Sequence, residues 1–328
     1  MKEIGFEPIT GNKIFIKNKI DINKVHQNFE SHSYLKFKEF HSDLNHYVKL
    51  STSSIDHLAN KDRSKQDLTT LISKLVQDSG ERWSSQTYDE PFDALSNLRI
   101  QLTKSAIMWV YSAFDVFLNH VNSVCSQIRI ENDFDLVEDA SESKRLFKLF
   151  KTYNWDISEL SYLLVVYNYY SLARHCIVHN MGKANAQLIS LSNSSDFKDA
   201  IENWPTVIEG RTLSPPPTIN QEGFMTLKPH HAITYSDVCY RISKNVNMKI
   251  LDHLKPAYFV NTIIKSRIFE ASDLGTPQCR DLNKYIRYYL KQNWKFDGID
   301  APQIKVILEE LGIRKQSHAK YNQLKKSR

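Results

Sequence analysis

Apolar residues recur along most of this chain at three- and four-residue intervals, the spacing of helices that bury one face. Residues 64–78, SKQDLTTLISKLVQD, place Leu68, Leu71, Ile72, Leu75 and Val76 on such a stripe, and Ser79–Gly80 closes it. The aromatic spacing from Asn28 to Leu50 predicts a moderately amphipathic helix, with Ser51–Ser54 as polar punctuation. A long helix is expected from about Phe92 to Ile130, and a shorter one from Ser141 to Tyr153. Thr234 and Asp237 read as a helix start, with the helix running to Leu254 ahead of Pro256. Further helical pieces fit 258–270, 279–293 and 302–311. Two stretches break this texture. Residues 13–22, KIFIKNKIDI, alternate like an edge strand or hairpin. Residues 183–233 are rich in Ser, Asn and Pro, and there TVIEGRTL and GFMTLKPHHAI are expected to pair as a small hairpin, with His230 and His231 in a turn.

The segment Ile157–Gly182, ISELSYLLVVYNYYSLARHCIVHNMG, is apolar or aromatic almost all round, which predicts a core helix. Asp156 and Glu159 have capping-box spacing, and Asn180 with Gly182 supplies a left-handed stop. Its tyrosines, Tyr162, Tyr167, Tyr169 and Tyr170, are expected in core and dimer packing. Its last turns carry Arg174, His175, His179 and Asn180. Polar and charged groups on a core helix are costly to bury, and such groups mark sites more often than packing.

Composition narrows the class. The 328 residues include only 9 Gly and 10 Pro, which favours a mainly α chain. No apolar run has the length of a membrane span, and the first residues lack a signal-peptide core. Cys125, Cys176, Cys239 and Cys279 form no CxxC pair, so neither a disulfide framework nor a zinc knuckle is expected, and a reducing cytoplasm fits. Charge is uneven: residues 241–328 hold 18 Lys and Arg against 8 Asp and Glu, and residues 1–240 hold 25 against 29. A basic C-terminal quarter points either to a polyanion-facing segment, with Lys284, Arg287 and Lys291 as one stripe, or to a solvated helical face.

Arg174 and His179 stand about 140° apart around a helix and about 7.5 Å apart along it, within reach of one cleft given the length of an arginine. His175 and His179 share a face. An Arg–His pair without an acidic cluster suits phosphate chemistry: the guanidinium fork binds phosphate oxygens and the imidazole moves a proton near neutral pH. Asp115, inside the apolar block IMWVYSAFDVFL, reads either as an exposed flank residue or as a carboxylate aimed at Arg174. His175-x3-His179 also has the spacing of two zinc ligands, but position 176 is Cys rather than the Glu of HExxH and no third ligand lies nearby, so no metal and no cofactor are expected.

Arg174-His175-Cys176-Ile177-Val178-His179-Asn180 resembles the R-(polar)-x3-H signature of the HEPN superfamily, and YSAFDVFLNHV resembles that family's other core helix. The resemblance covers roughly residues 60–255. It implies a HEPN-like antiparallel helical bundle over 56–255, interrupted by a β-hairpin insertion at about 183–233. It leaves 1–55 as an N-terminal extension and 256–328 as a basic, helical C-terminal extension. It further implies a metal-independent endoribonuclease that leaves 2′,3′-cyclic phosphate and 5′-OH ends. Such enzymes act as homodimers on RNA, as toxins or antiviral effectors, some with an antitoxin or regulatory protein partner. The expected site is His179 as general base or acid, Arg174 on the scissile phosphate, His175 and Asn180 as positioning groups, and Asp115 as an orienting carboxylate. The same family holds inactive members, so a non-catalytic scaffold and a nucleic-acid-binding regulator are the competing readings.

Overall fold

The computed structural model describes residues 28–60, 62–80, 89–126, 142–203, 214–221, 223–275, 279 and 281–326. The expected strand at 13–22 and the TVIEGRTL arm of the hairpin lie outside them. Among the described residues the chain is helical, with no strand and one isolated bridge, Lys183 to Phe224.

Three long helices carry the fold: α1 (His32–Leu58), α3 (Pro91–Cys125) and α8 (Pro229–Ile264), each packed on the other two. Ser31 caps α1 by accepting from the Tyr34 amide. The helix then runs through Ser51–Ser54 rather than stopping there. Ser53 and Ser54 are exposed, and Ser54 donates back to the Leu50 carbonyl, so they cost the helix little. α2 (Lys65–Asp78) begins at its Ser64 cap and ends as expected. α3 opens on Pro91, where a missing amide hydrogen costs nothing. α8 starts at Pro229, one turn before the expected Thr234, so His230 and His231 belong to its first turn and not to a free turn. It breaks where expected: Lys255 has φ 62°, ψ 157° immediately ahead of Pro256.

α4 (Glu142–Thr152) leads into α5 (Ser161–His179), which packs on α3 and α8. The Asp156–Glu159 capping box does not form. Asp156 instead accepts from both the amide and the hydroxyl of Ser158, closing a 3-10 turn at Ser158–Leu160 ahead of the helix. The loop-and-hairpin insertion is also replaced among the described residues. SLSNSSDF folds as the end of α6 (Ala186–Asn193) and the start of α7 (Ser195–Glu202), with Asn185 and Ser194 as caps. Phe197 of α7 stacks on Tyr169 at 5.3 Å. Tyr167, Tyr169 and Tyr170 are fully buried inside this chain, so they pack its own core rather than a dimer face.

The π-helical turn Lys265–Phe269 extends α8, and α9 (Leu282–Trp294), α10 (Ala301–Glu310) and α11 (Arg314–Lys326) follow. Asp281 caps α9, and Asp300 with Gln303 forms a capping box on α10. Residues 314–326 form α11, whose Tyr321 and Leu324 are buried. One apolar core joins α1, α3, α5, α8 and these C-terminal helices. Phe29 fixes the join, edge-on to both Phe259 and Phe296, while the buried Asn247 amide bonds the Phe29 carbonyl and the Ser31 amide.

Candidate functional site

α5 is buried along most of its length because Val166, Tyr167, Tyr169, Tyr170, Ala173 and Cys176 face α3, α7 and α8. Its last turn emerges from that core. His175 and His179 are exposed, Arg174 and Asn180 are half-buried, and Cys176 between them is buried. The helix stops as expected but with a shifted cap. Asn180 is the C-cap with φ −119°, and the left-handed residues are Met181 (φ 56°) and Gly182 (φ 86°). The Cys176 carbonyl accepts from the Asn180 amide at 3.0 Å and from the Gly182 amide at 2.9 Å. Asn180 therefore serves the helix end through its backbone.

Arg174 lies with its guanidinium 4.1 Å from the centre of the Tyr111 ring on α3. This cation–π contact holds the side chain while leaving its N–H donors unused, since no ion pair engages Arg174 among the described residues. The imidazoles of His175 and His179 pack with ring centroids 4.6 Å apart, as expected for positions four apart on one face. Neither makes a hydrogen bond to another described residue.

Asp115 does not orient Arg174. Its carboxylate pairs with Arg145 of α4 at 2.5 Å and accepts from Asn119 at 3.4 Å. Of its two sequence readings, neither holds as stated: it is a half-buried tie between α3 and α4. The residue that does meet Arg174 is Tyr111, one turn earlier on the same face.

Two further cations join this end of α5. A Cβ built on Gly182 would fall 3.0 Å from Lys104 Nζ, so the α3 lysine lies directly against the helix terminus. Its charge suits the negative end of the α5 dipole. The left-handed φ favours glycine at 182, whereas the close approach is to the movable end of Lys104. Lys183 follows, with Nζ 5.4 Å from the Phe224 ring. Sequence reasoning missed Lys104 and Tyr111. The available signal was the 4-3-4 spacing of Lys104, Met108, Tyr111 and Asp115, a single half-buried stripe on α3.

Among the described residues, no three His, Cys, Asp or Glu converge where a metal ion would sit. All four cysteines are free thiols, and burial raises the pKa of Cys176 and holds Cys125 up at about 12. No described helix is long and apolar enough to cross a membrane. No family model, no curated protein and no solved structure matches the chain.

Proposed function

We propose that this chain is a metal-independent endoribonuclease of the HEPN type, acting on RNA as a homodimer in toxin or antiviral defence. The observation that supports the reading is an Arg174 with no carboxylate partner among the described residues and an exposed His179, both in the last two turns of one buried helix. The rigid core fixes the backbone of α5, and Tyr111 fixes the guanidinium, so the donors face an incoming phosphate without first leaving a carboxylate.

In this reading Arg174 binds the non-bridging oxygens of the scissile phosphate and stabilises the charge that builds on them. His179 takes the proton of the 2′-OH, whose oxygen attacks phosphorus, and the P–O5′ bond breaks to give a 2′,3′-cyclic phosphate and a 5′-OH. The leaving oxygen departs opposite the attacking one. His175, with its ring against His179, stands on the same side and so serves as a positioning neighbour rather than as the acid. The leaving-group proton then comes from a second copy of the motif, which is the mechanistic reason for a dimer. Exposed apolar side chains next to His179 in the chain support that surface: Val178 is 44% exposed and Met181 81%.

The test is cleavage of structured and unstructured RNA in EDTA by the wild-type chain, Arg174→Ala and His179→Ala. Wild-type cutting that both substitutions abolish supports the reading. One observation favours a rival, a nucleic-acid-binding scaffold without catalysis: no described residue hydrogen-bonds either imidazole. Tight RNA binding by a wild-type dimer that cuts nothing would decide for it.

A further inference from the structure

A cleft of about 650 Å³ opens between α1, α3 and the segment leading into α8. Its size is that of small-ligand sites. Three cations line it, Lys49 from α1, Arg99 from α3 and Lys228 just before α8, together with His230. None of the described residues lining it is acidic. Val48, Ile100, Leu227 and Ile233 give it an apolar wall. Arg99 also pairs with Asp56 outside the cleft through Nη2, yet its Nε, although buried, has no hydrogen-bond partner. The Thr52 hydroxyl beside it is likewise buried without one. Three cations, no lining acid and two donors without a protein partner among the described residues make the lining suited to an anion.

We infer that this cleft binds a nucleoside phosphate, with the phosphate between Arg99 and Lys228 and the nucleoside against the Ile100–Ile233 wall. The charge and the apolar wall define a phosphate on an apolar body; that the body is a nucleoside rests on the ribonuclease reading. The ligand is either a free nucleotide or one nucleotide of the RNA itself. Arg99 stands about 18 Å from Tyr111 by rise along α3 and about 120° around its axis, so the second source reaches the cleft by the connecting segment rather than along one helix face. The segment from Phe224 to Lys228 runs alongside, from the Lys183 bridge to the cleft.

The test is calorimetric titration of the full chain with 5′-AMP, adenosine and inorganic phosphate. It is repeated on the double variant Arg99→Gln/Lys228→Gln, on Ile100→Trp and on Arg174→Ala. AMP is expected to bind once per chain, and adenosine or phosphate alone at least about tenfold more weakly. The double variant and the wall-filling Ile100→Trp should each weaken AMP about tenfold or more, with the thermal midpoint held. Arg174→Ala should leave AMP binding unchanged while removing cleavage, so the two sites fail separately. Competition between AMP and a 2′-O-methyl oligonucleotide identifies the RNA as the source, and binding of both without competition identifies a free nucleotide. Absence of AMP binding, or AMP binding unaffected by both the charge and the wall substitutions in folded protein, overturns the inference.

Discussion

The end of α5 and the outer face of α9 both concentrate positive charge, but the two surfaces are built differently. On α9, Lys284, Arg287 and Lys291 form the exposed stripe that the sequence predicts. Lys284 lies 4.0 Å from Asp281 and Lys291 3.4 Å from Asp297, so two of the three cations already face a carboxylate. Of the intervening tyrosines, Tyr288 stays exposed and the other two turn inward. Tyr285 and Tyr289 are buried, and the Tyr285 hydroxyl donates to the Leu274 carbonyl. At the α5 end, Arg174 and Lys104 oppose no acid among the described residues, and Arg174 rests on an aromatic face instead. Exposed ion pairs contribute little stability and screen one another. Counting charges therefore points to α9, whereas the pairing of those charges points to α5.

The sharpest way to break this contrast is at the two residues themselves. His179→Ala and Arg174→Ala should each lower the cleavage rate by about 10²–10⁴ while circular dichroism and thermal midpoint stay near wild type. Wild-type turnover in either would remove the α5 end from the chemistry. Met181→Asp places a charge in the exposed apolar rim beside the histidines. It should shift the protein from dimer to monomer in sedimentation and take cleavage with it; an active monomer would separate the dimer from the mechanism. Tyr111→Leu removes the guanidinium's support and should raise KM roughly 2- to 30-fold, the range of one cation–π contact, with a smaller change in kcat.

At the lower end, the contrast is sharpened by matched charge reversals. Lys104→Glu should weaken RNA binding and lower the salt slope of the affinity more than Lys284→Glu does, because Lys284 is already partly neutralised. The reverse order would restore α9 as the main RNA-facing surface. Reversal is a better probe here than deletion, since α9 and α11 share the core of α8 and removing them would expose that core. Smallest of all, Asp115→Asn should cost under about 1 kcal/mol through the Arg145 pair and leave cleavage unchanged.

Sequence reasoning reached the helical class and the long helices because caps and apolar spacing act locally. Ser64 and Gly80 bound α2, and Pro256 locates the α8 break. It failed where one residue type serves several ends. Serine marks loops, tolerates exposed helix and caps helices, so Ser51–Ser54 and Ser194 were open to all three. The tyrosines of α5 gave burial without saying against what. The Arg174–His179 spacing was legible because it is local, but Tyr111 and Lys104 are brought to it only by the packing of α3 on α5. For the same reason Asp115, plausible by position, turned out to face Arg145.

The most direct test of the account is the chemistry of the cut ends. RNA incubated with the purified chain in excess EDTA should yield 2′,3′-cyclic phosphate and 5′-OH termini, and His179→Ala should yield none. Cleavage that needs Mg²⁺ or Mn²⁺, or that leaves 5′-phosphate ends, would contradict an Arg174–His179 mechanism driven by the 2′-OH.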